Sequence, residues 1–168
     1  MHANLVLNKS KNMRNIILLL TLMLSGTFLQ AQEFSELATY EFQNANDYKE
    51  KENMVLKCSN FLFSTPANKY EYDRAVSLRF IMLWMSGTPD YTFMFDERSS
   101  NLTNGDTDLF GMLTAAMVKV VLEHKGSDKL TDDEVYKLSE ELLVEYCSDP
   151  KNKLKPSKEM KKIIKGKK

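Results

Sequence analysis

From Leu109 to His124 the chain is apolar almost all round, with Leu113, Ala116, Met117, Val120 and Val121 and few charges. A helix without a polar face must be covered by other elements, so this segment is expected to be the central helix of a core. The sequence around it carries the helical spacing of about 3.6 residues, and strand-like alternation is nearly missing. Residues 33 to 46 read as a frayed lead-in or a short helix. Asp47 is expected to cap a helix with the stripe Tyr48, Val55, Cys58 and Leu62, stopped by Ser64-Thr65-Pro66. A second helix is expected from Asn68 to Ser86. Its back half, Phe80-Ile81-Met82-Leu83-Trp84-Met85, is apolar on every side and reads as buried, and Gly87 and Pro89 end it. Tyr91 to Phe95 has strand-like composition but is too short and isolated to define a sheet.

Residues 96 to 108 read as a polar loop, rich in side chains that compete with regular backbone pairing. The loop delivers Asp106 or Thr107 as cap of the central helix, with Asp108 suited to its dipole, and Gly126 ends that helix. Thr131-Asp132-Asp133-Glu134 is a capping box. Its helix turns Val135, Leu138, Leu142 and Tyr146 inward, until Pro150 breaks it. Beyond Pro156, Ser157 caps a short terminal helix with Met160, Ile163 and Ile164 on one side and Lys158, Lys161, Lys162 and Lys165 on the other. Lys167 and Lys168 complete the basic end. No repeat recurs at a period of about 20 to 50 residues. These segments predict an all-α fold, a compact bundle of four to five helices.

The amino-terminal stretch predicts the compartment. Lys9, Lys11 and Arg14 precede the apolar run Ile16 to Leu24, and small residues follow at Ser25, Gly26 and Ala31. This is the layout of a cleaved signal peptide, and the run is shorter than the roughly 17 to 25 residues of a bilayer-spanning helix. Cleavage is expected after Ala31, and Met13 serves equally well as a start, since Met13-Arg14-Asn15 supplies the charged flank. No cysteine lies near the cut, which excludes lipid anchoring at a new amino-terminal Cys. The expected organisation is a signal peptide over 1–31, a helical domain over 32–150 and a basic tail over 151–168. The overall charge of zero conceals an acidic body and a tail holding nine lysines against one glutamate. In an oxidising compartment Cys58 and Cys147 could form a disulfide; the alternative is two buried thiols.

The capped helix ending Asn60-Phe61-Leu62, the Ser64-Thr65-Pro66 stop and the segment Phe80 to Pro89 resemble a group of small exported all-helical proteins of Bacteroidetes-type bacteria. The likeness runs over most of residues 47 to 165. That group has no assigned activity, so the resemblance implies export and a helical fold and carries over no catalytic residue.

The residues themselves point away from catalysis. Serine or cysteine nucleophiles generally need a base beside them, and beyond the signal His124 is the single histidine, at a helix end where a positive charge is welcome. No nucleophile elbow, zinc-ligand spacing or phosphate-cradling glycine loop occurs. Asp96, Asp106 and Asp108 could meet calcium. With Gly105 in the glycine slot of a 12-residue loop, however, a ligand position falls on Leu102, so neither a metal site nor a cofactor is expected. The leading expectation is an exported, periplasmic or secreted, non-enzymatic binding module whose partner is a protein or envelope component. Lys158, Lys161, Lys162, Lys165, Lys167 and Lys168 are the candidate contacts with a partner or an anionic surface. The tail itself has three readings: a solvated or disordered end, a strap docked on the acidic body, or a contact with an anionic surface. Nucleic acid is not expected, because the tail has no aromatic residue to stack on bases. A carrier of a small apolar ligand, with Met82, Trp84, Met112 and Met117 lining a pocket, is the alternative, and a hydrolase using the body's acids is a third.

Overall fold

A computed structural model describes residues 34–126 and 129–166. The chain divides into two units, Met1–Glu36 and Leu37–Lys168. Residues 34–37 are helical, and the signal-peptide expectation lies outside the described residues. The second unit is all-helical: α1 (Ala45–Ser64), α2 (Glu71–Gly87), α3 (Glu97–Thr103), α4 (Thr107–Glu123), α5 (Asp132–Ser148), a 3-10 turn (Pro150–Asn152) and α6 (Lys158–Gly166). No strand occurs among the described residues, and Tyr91 to Phe95 is irregular.

As the sequence requires, α4 is the central rod: Leu109, Leu113, Ala116, Met117 and Val118 are all at most 1% exposed. Helices α1, α2, α3 and α5 pack around it. From α1 come Val55, Cys58 and Leu62, from α2 Phe80, Ile81 and Trp84, and from α5 Leu143 and Val144, all buried. Each fully buried large side chain contributes on the order of 1.5–3 kcal/mol against exposure, so this cluster dominates the fold. Glu52 is buried beside it and is paired with Lys125.

Several local expectations need correction. The cap of α1 is Asn44, not Asp47; Asp47 is the third residue of a capping box, its carboxylate accepting from the Asn44 N–H at 3.2 Å. The second helix starts at Glu71 rather than Asn68, because Tyr70 takes the left-handed conformation at φ 54° and breaks the run. Its back half is not buried all round, since Met82 is 43% and Leu83 36% exposed. The polar loop is partly a helix. Asp96 caps α3, accepting from the backbone N–H groups of Arg98 and Ser99, while Leu102 inserts into the core at 1% exposure. Asn104 closes α3 in the left-handed conformation and Asp106 caps α4, as one of the two expected candidates. Helix α4 ends at Glu123, before Gly126. On α5 the buried stripe is Val135, Ser139, Leu143, Tyr146 and Cys147, with Leu138 and Leu142 only half-buried. Tyr146 lies on both the expected and the observed face, and its hydroxyl donates to the Thr65 carbonyl at 2.6 Å.

One close approach constrains the α1–α2 pairing. A Cβ on Gly87 would fall 2.0 Å from the Tyr48 hydroxyl oxygen and 2.5 Å from Cζ. The Tyr48 ring cannot yield freely, because it stacks on Phe42 at 4.3 Å. Gly87→Ala should therefore cost about 1–3 kcal/mol, read as a lowered urea midpoint. At Gly111 the nearest atom is a Leu78 methyl at 3.3 Å, the free end of a side chain, so Gly111→Ala should be nearly neutral.

The capping box of α5 forms as expected. Glu134 accepts from the Thr131 N–H at 2.8 Å, and Thr131 Oγ1 accepts from the Glu134 N–H at 3.3 Å. The Thr131 backbone bond, then its hydroxyl, holds the Glu134 carboxyl below its usual range. A lowered folded-state value means the stabilisation is complete above the ordinary glutamate range and is lost as pH falls through the folded value. Melting temperatures of the wild type and Glu134→Gln should accordingly differ at about pH 7, and the difference should shrink as pH falls below the ordinary glutamate range.

Candidate functional site

The basic carboxy-terminal segment is built in three steps. Asp149 caps the 3-10 turn, accepting from the Lys151 N–H at 2.9 Å, and Pro150 opens it with its fixed φ. The turn is tied to the body by Asn152. Its side chain donates to the Tyr146 carbonyl at 2.8 Å, and its own carbonyl accepts from the Ala67 N–H at 2.7 Å. Lys153 then takes the left-handed conformation at φ 58° and turns the chain toward α6.

Ser157 caps that helix, its Oγ accepting from the Met160 N–H at 3.1 Å. Met160 is 0% exposed and plugs α6 onto α3 and α5, with Ile163 and Ile164 half-buried beside it. Of the three readings of the tail, the described part is therefore ordered, and its apolar stripe does the docking. Lys158, Lys161, Lys162 and Lys165 are all exposed. Lys162 pairs at 2.7 Å with Glu159 of the same helix, and no α6 lysine pairs with a carboxylate of the body among the described residues. Lys167 and Lys168 lie outside the described residues.

The lysines divide between two grooves. One, of about 600 Å³, has an apolar floor that includes Pro150, Leu154, Pro156 and Ile164. Its edges carry Lys161 and Lys165 of α6 together with Lys153 and Lys155 of the preceding loop. The other, of about 480 Å³, sets Lys158 and Lys162 opposite Arg98 of α3. Arg98 is not free there. It pairs with Asp96 at 2.7 Å and Asp133 at 2.9 Å, and it lies 4.5 Å over the Tyr136 ring. The Arg98 side chain in turn holds the Asp96 carboxyl below its usual range. Sequence reasoning missed Lys153 and Lys155 as part of one edge. The left-handed Lys153 that brings them to α6 carries no glycine or asparagine signal.

The remaining candidates are dispersed. Cys58 and Cys147 are both buried and no disulfide joins them; burial pushes the Cys147 thiol up to about 12, so it is inert as a nucleophile at neutral pH. Trp84 and Met117 lie in the closed core, while Met112 and Met82 line separate clefts, so the four residues proposed to form one ligand pocket do not share it. The ring Nδ1 of His124 sits 2.8 Å from the Val120 carbonyl at the end of α4. Asp96 and Asp106 are occupied as helix caps. No group of three or more His, Cys, Asp or Glu side chains able to hold a metal occurs among the described residues. None of the described helices is long and apolar enough to cross a membrane. No known protein family, curated protein or solved structure matches the chain.

Proposed function

We propose that this chain is an exported, periplasmic or secreted, non-enzymatic module that attaches reversibly to an anionic membrane surface through its carboxy-terminal lysines. The observation that carries this reading is the way α6 is held. Its apolar stripe docks it at Met160, which leaves four lysines exposed on a fixed helix with no carboxylate of the body paired to them among the described residues. A lysine near an anionic lipid surface contributes on the order of 1 kcal/mol, so four on one face are worth about three decades of affinity at low salt. Lys153 and Lys155 extend the same edge, and the apolar floor between them and α6 offers a shallow seat for an acyl chain. Such attachment is screened within about 10 Å at 0.1 M salt, which makes it reversible.

Sedimenting envelope membranes from cells that make the protein tests this directly. The processed chain, begun near Gln32, should accompany the membranes at low salt and be released by a high-salt wash. Retention through the wash, or recovery of the unprocessed chain in the cytosol, would count against the proposal. The carrier alternative has less support, because Met82, Trp84, Met112 and Met117 are distributed over the core and two clefts.

A further inference from the structure

A second cleft, which shares Leu154 with the lysine-edged groove, is lined by a buried cation that forms no ion pair among the described residues. Arg74, on α2, is 7% exposed and forms part of the wall of a cleft of about 320 Å³. Burying a guanidinium is costly unless it is paired, and here the pairing is partial. Nη1 donates to the Leu62 carbonyl at 2.9 Å and to the carbonyl and hydroxyl of Thr65 at 3.1 and 3.0 Å. These groups close the carboxy-terminal end of α1, where the helix dipole supplies roughly half a negative charge. Nη2 meets the thioether of Met112 at 3.3 Å, a weak acceptor, and the guanidinium also hydrogen-bonds with the Tyr146 hydroxyl. Nε makes no hydrogen bond among the described residues, and Arg74 forms no ion pair there with any carboxylate. The group retains a positive charge and, at Nε, an N–H without a hydrogen-bond partner among the described residues, a donor of the kind that recognises a carboxylate.

Two carboxylates stand at the same cleft. Glu71 and Asp108 are exposed lining residues, one a turn before Arg74 on α2 and the other at the start of α4. Neither side chain makes a hydrogen bond or ion pair among the described residues; only the backbone N–H of Asp108 is engaged, by Asp106. The rest of the wall is aliphatic and thioether: Leu78, Met112 and Leu154. A simple anion would gain from Arg74 and be repelled by the two carboxylates, and a simple cation would meet the reverse. The pattern suits a molecule carrying both charges and a small apolar side chain. The volume sits at the lower end of the range for small-molecule sites, about 300–1,000 Å³.

The geometry points to a binding site for a free aliphatic α-amino acid, with the ligand carboxylate on the Arg74 guanidinium, its ammonium toward Glu71 and Asp108, and its side chain against Leu78, Met112 and Leu154. The cleft adjoins the lysine-edged groove through Leu154, but none of the α6 lysines lines it, so either site can fail without the other.

Titration of the isotope-labelled protein with L-leucine, followed by amide chemical shifts, tests the assignment. Saturable shifts at Ala67, Arg74, Asp108 and Leu154, with half-saturation at about 1 mM, are expected. Two comparators isolate the charges: 4-methylpentanoate lacks the ammonium and 3-methylbutylamine lacks the carboxylate, and each should bind at least about tenfold more weakly. The double variant Glu71→Gln/Asp108→Asn alters only exposed side chains and should fold normally while weakening leucine about tenfold. Arg74→Lys keeps the charge but not the fork and should abolish saturation; if it unfolds the chain, the double variant and the comparators still decide. Absence of saturable shifts at about 20 mM leucine, equal binding of leucine and either comparator, or unchanged affinity in the double variant would overturn the assignment.

Discussion

Replacing Trp84 with alanine is expected to remove about 3–5 kcal/mol of stability, the largest loss available from a single side chain in this fold. The indole is fully buried between α1 and the segment after α2. The rings of Tyr91 and Phe93 lie against it at 5.5 and 6.2 Å. Its Nε1–H donates to the Tyr48 carbonyl at 2.8 Å, so truncation leaves a cavity and also deprives that acceptor of its partner. Against a typical total of 5–15 kcal/mol, such a loss brings the domain near the edge of folding. Trp84→Phe, which keeps most of the volume and loses only the donor, should cost about 1–2 kcal/mol. Trp84 is the single tryptophan, so the unfolding midpoints must be read by far-ultraviolet circular dichroism rather than by its fluorescence.

The second large effect concerns α6. Met160→Asp places a carboxylate where the structure leaves a side chain 0% exposed. An unpaired charge at such a position is not tolerated, and a nine-residue helix has little stability of its own. The expected result is release of α6, with amide protection lost over Lys158–Gly166 while α1, α2, α4 and α5 stay protected, because their shared core lies elsewhere. Hydrogen exchange read by mass spectrometry separates this from global unfolding. Loss of protection throughout, or none at α6, would contradict the docking described.

The elements read correctly from sequence are those whose signals are local. The central rod announces itself by the absence of any polar face, and Thr131 with Glu134 specifies the start of α5 through two reciprocal hydrogen bonds. The stripe Val55, Cys58 and Leu62 sets the face of α1. What escaped depends on contacts distant in the chain. Helix α3 hides in a run of Ser, Asn, Asp and Thr because a single apolar side chain, Leu102, anchors it. On α5, Ser139, Leu143 and Cys147 are buried where Leu138 and Leu142 were expected, a choice set by packing against the other helices and not by the helix's own spacing. Arg74 reads as one charge among several at the front of α2, and only the fold shows it closing the end of α1. The candidate lysines of α6 were legible from its spacing, whereas Lys153 and Lys155 join them through a left-handed turn that no residue in the loop advertises.

Binding of the purified protein to lipid vesicles tests the proposed role of the lysine face most directly. Affinity for vesicles rich in anionic lipid should exceed that for neutral ones, should fall as salt is raised, and at low salt should drop about a thousandfold when Lys158, Lys161, Lys162 and Lys165 are all changed to glutamine. Equal affinity for neutral and anionic vesicles, or a quadruple variant that binds as the wild type does, would contradict it.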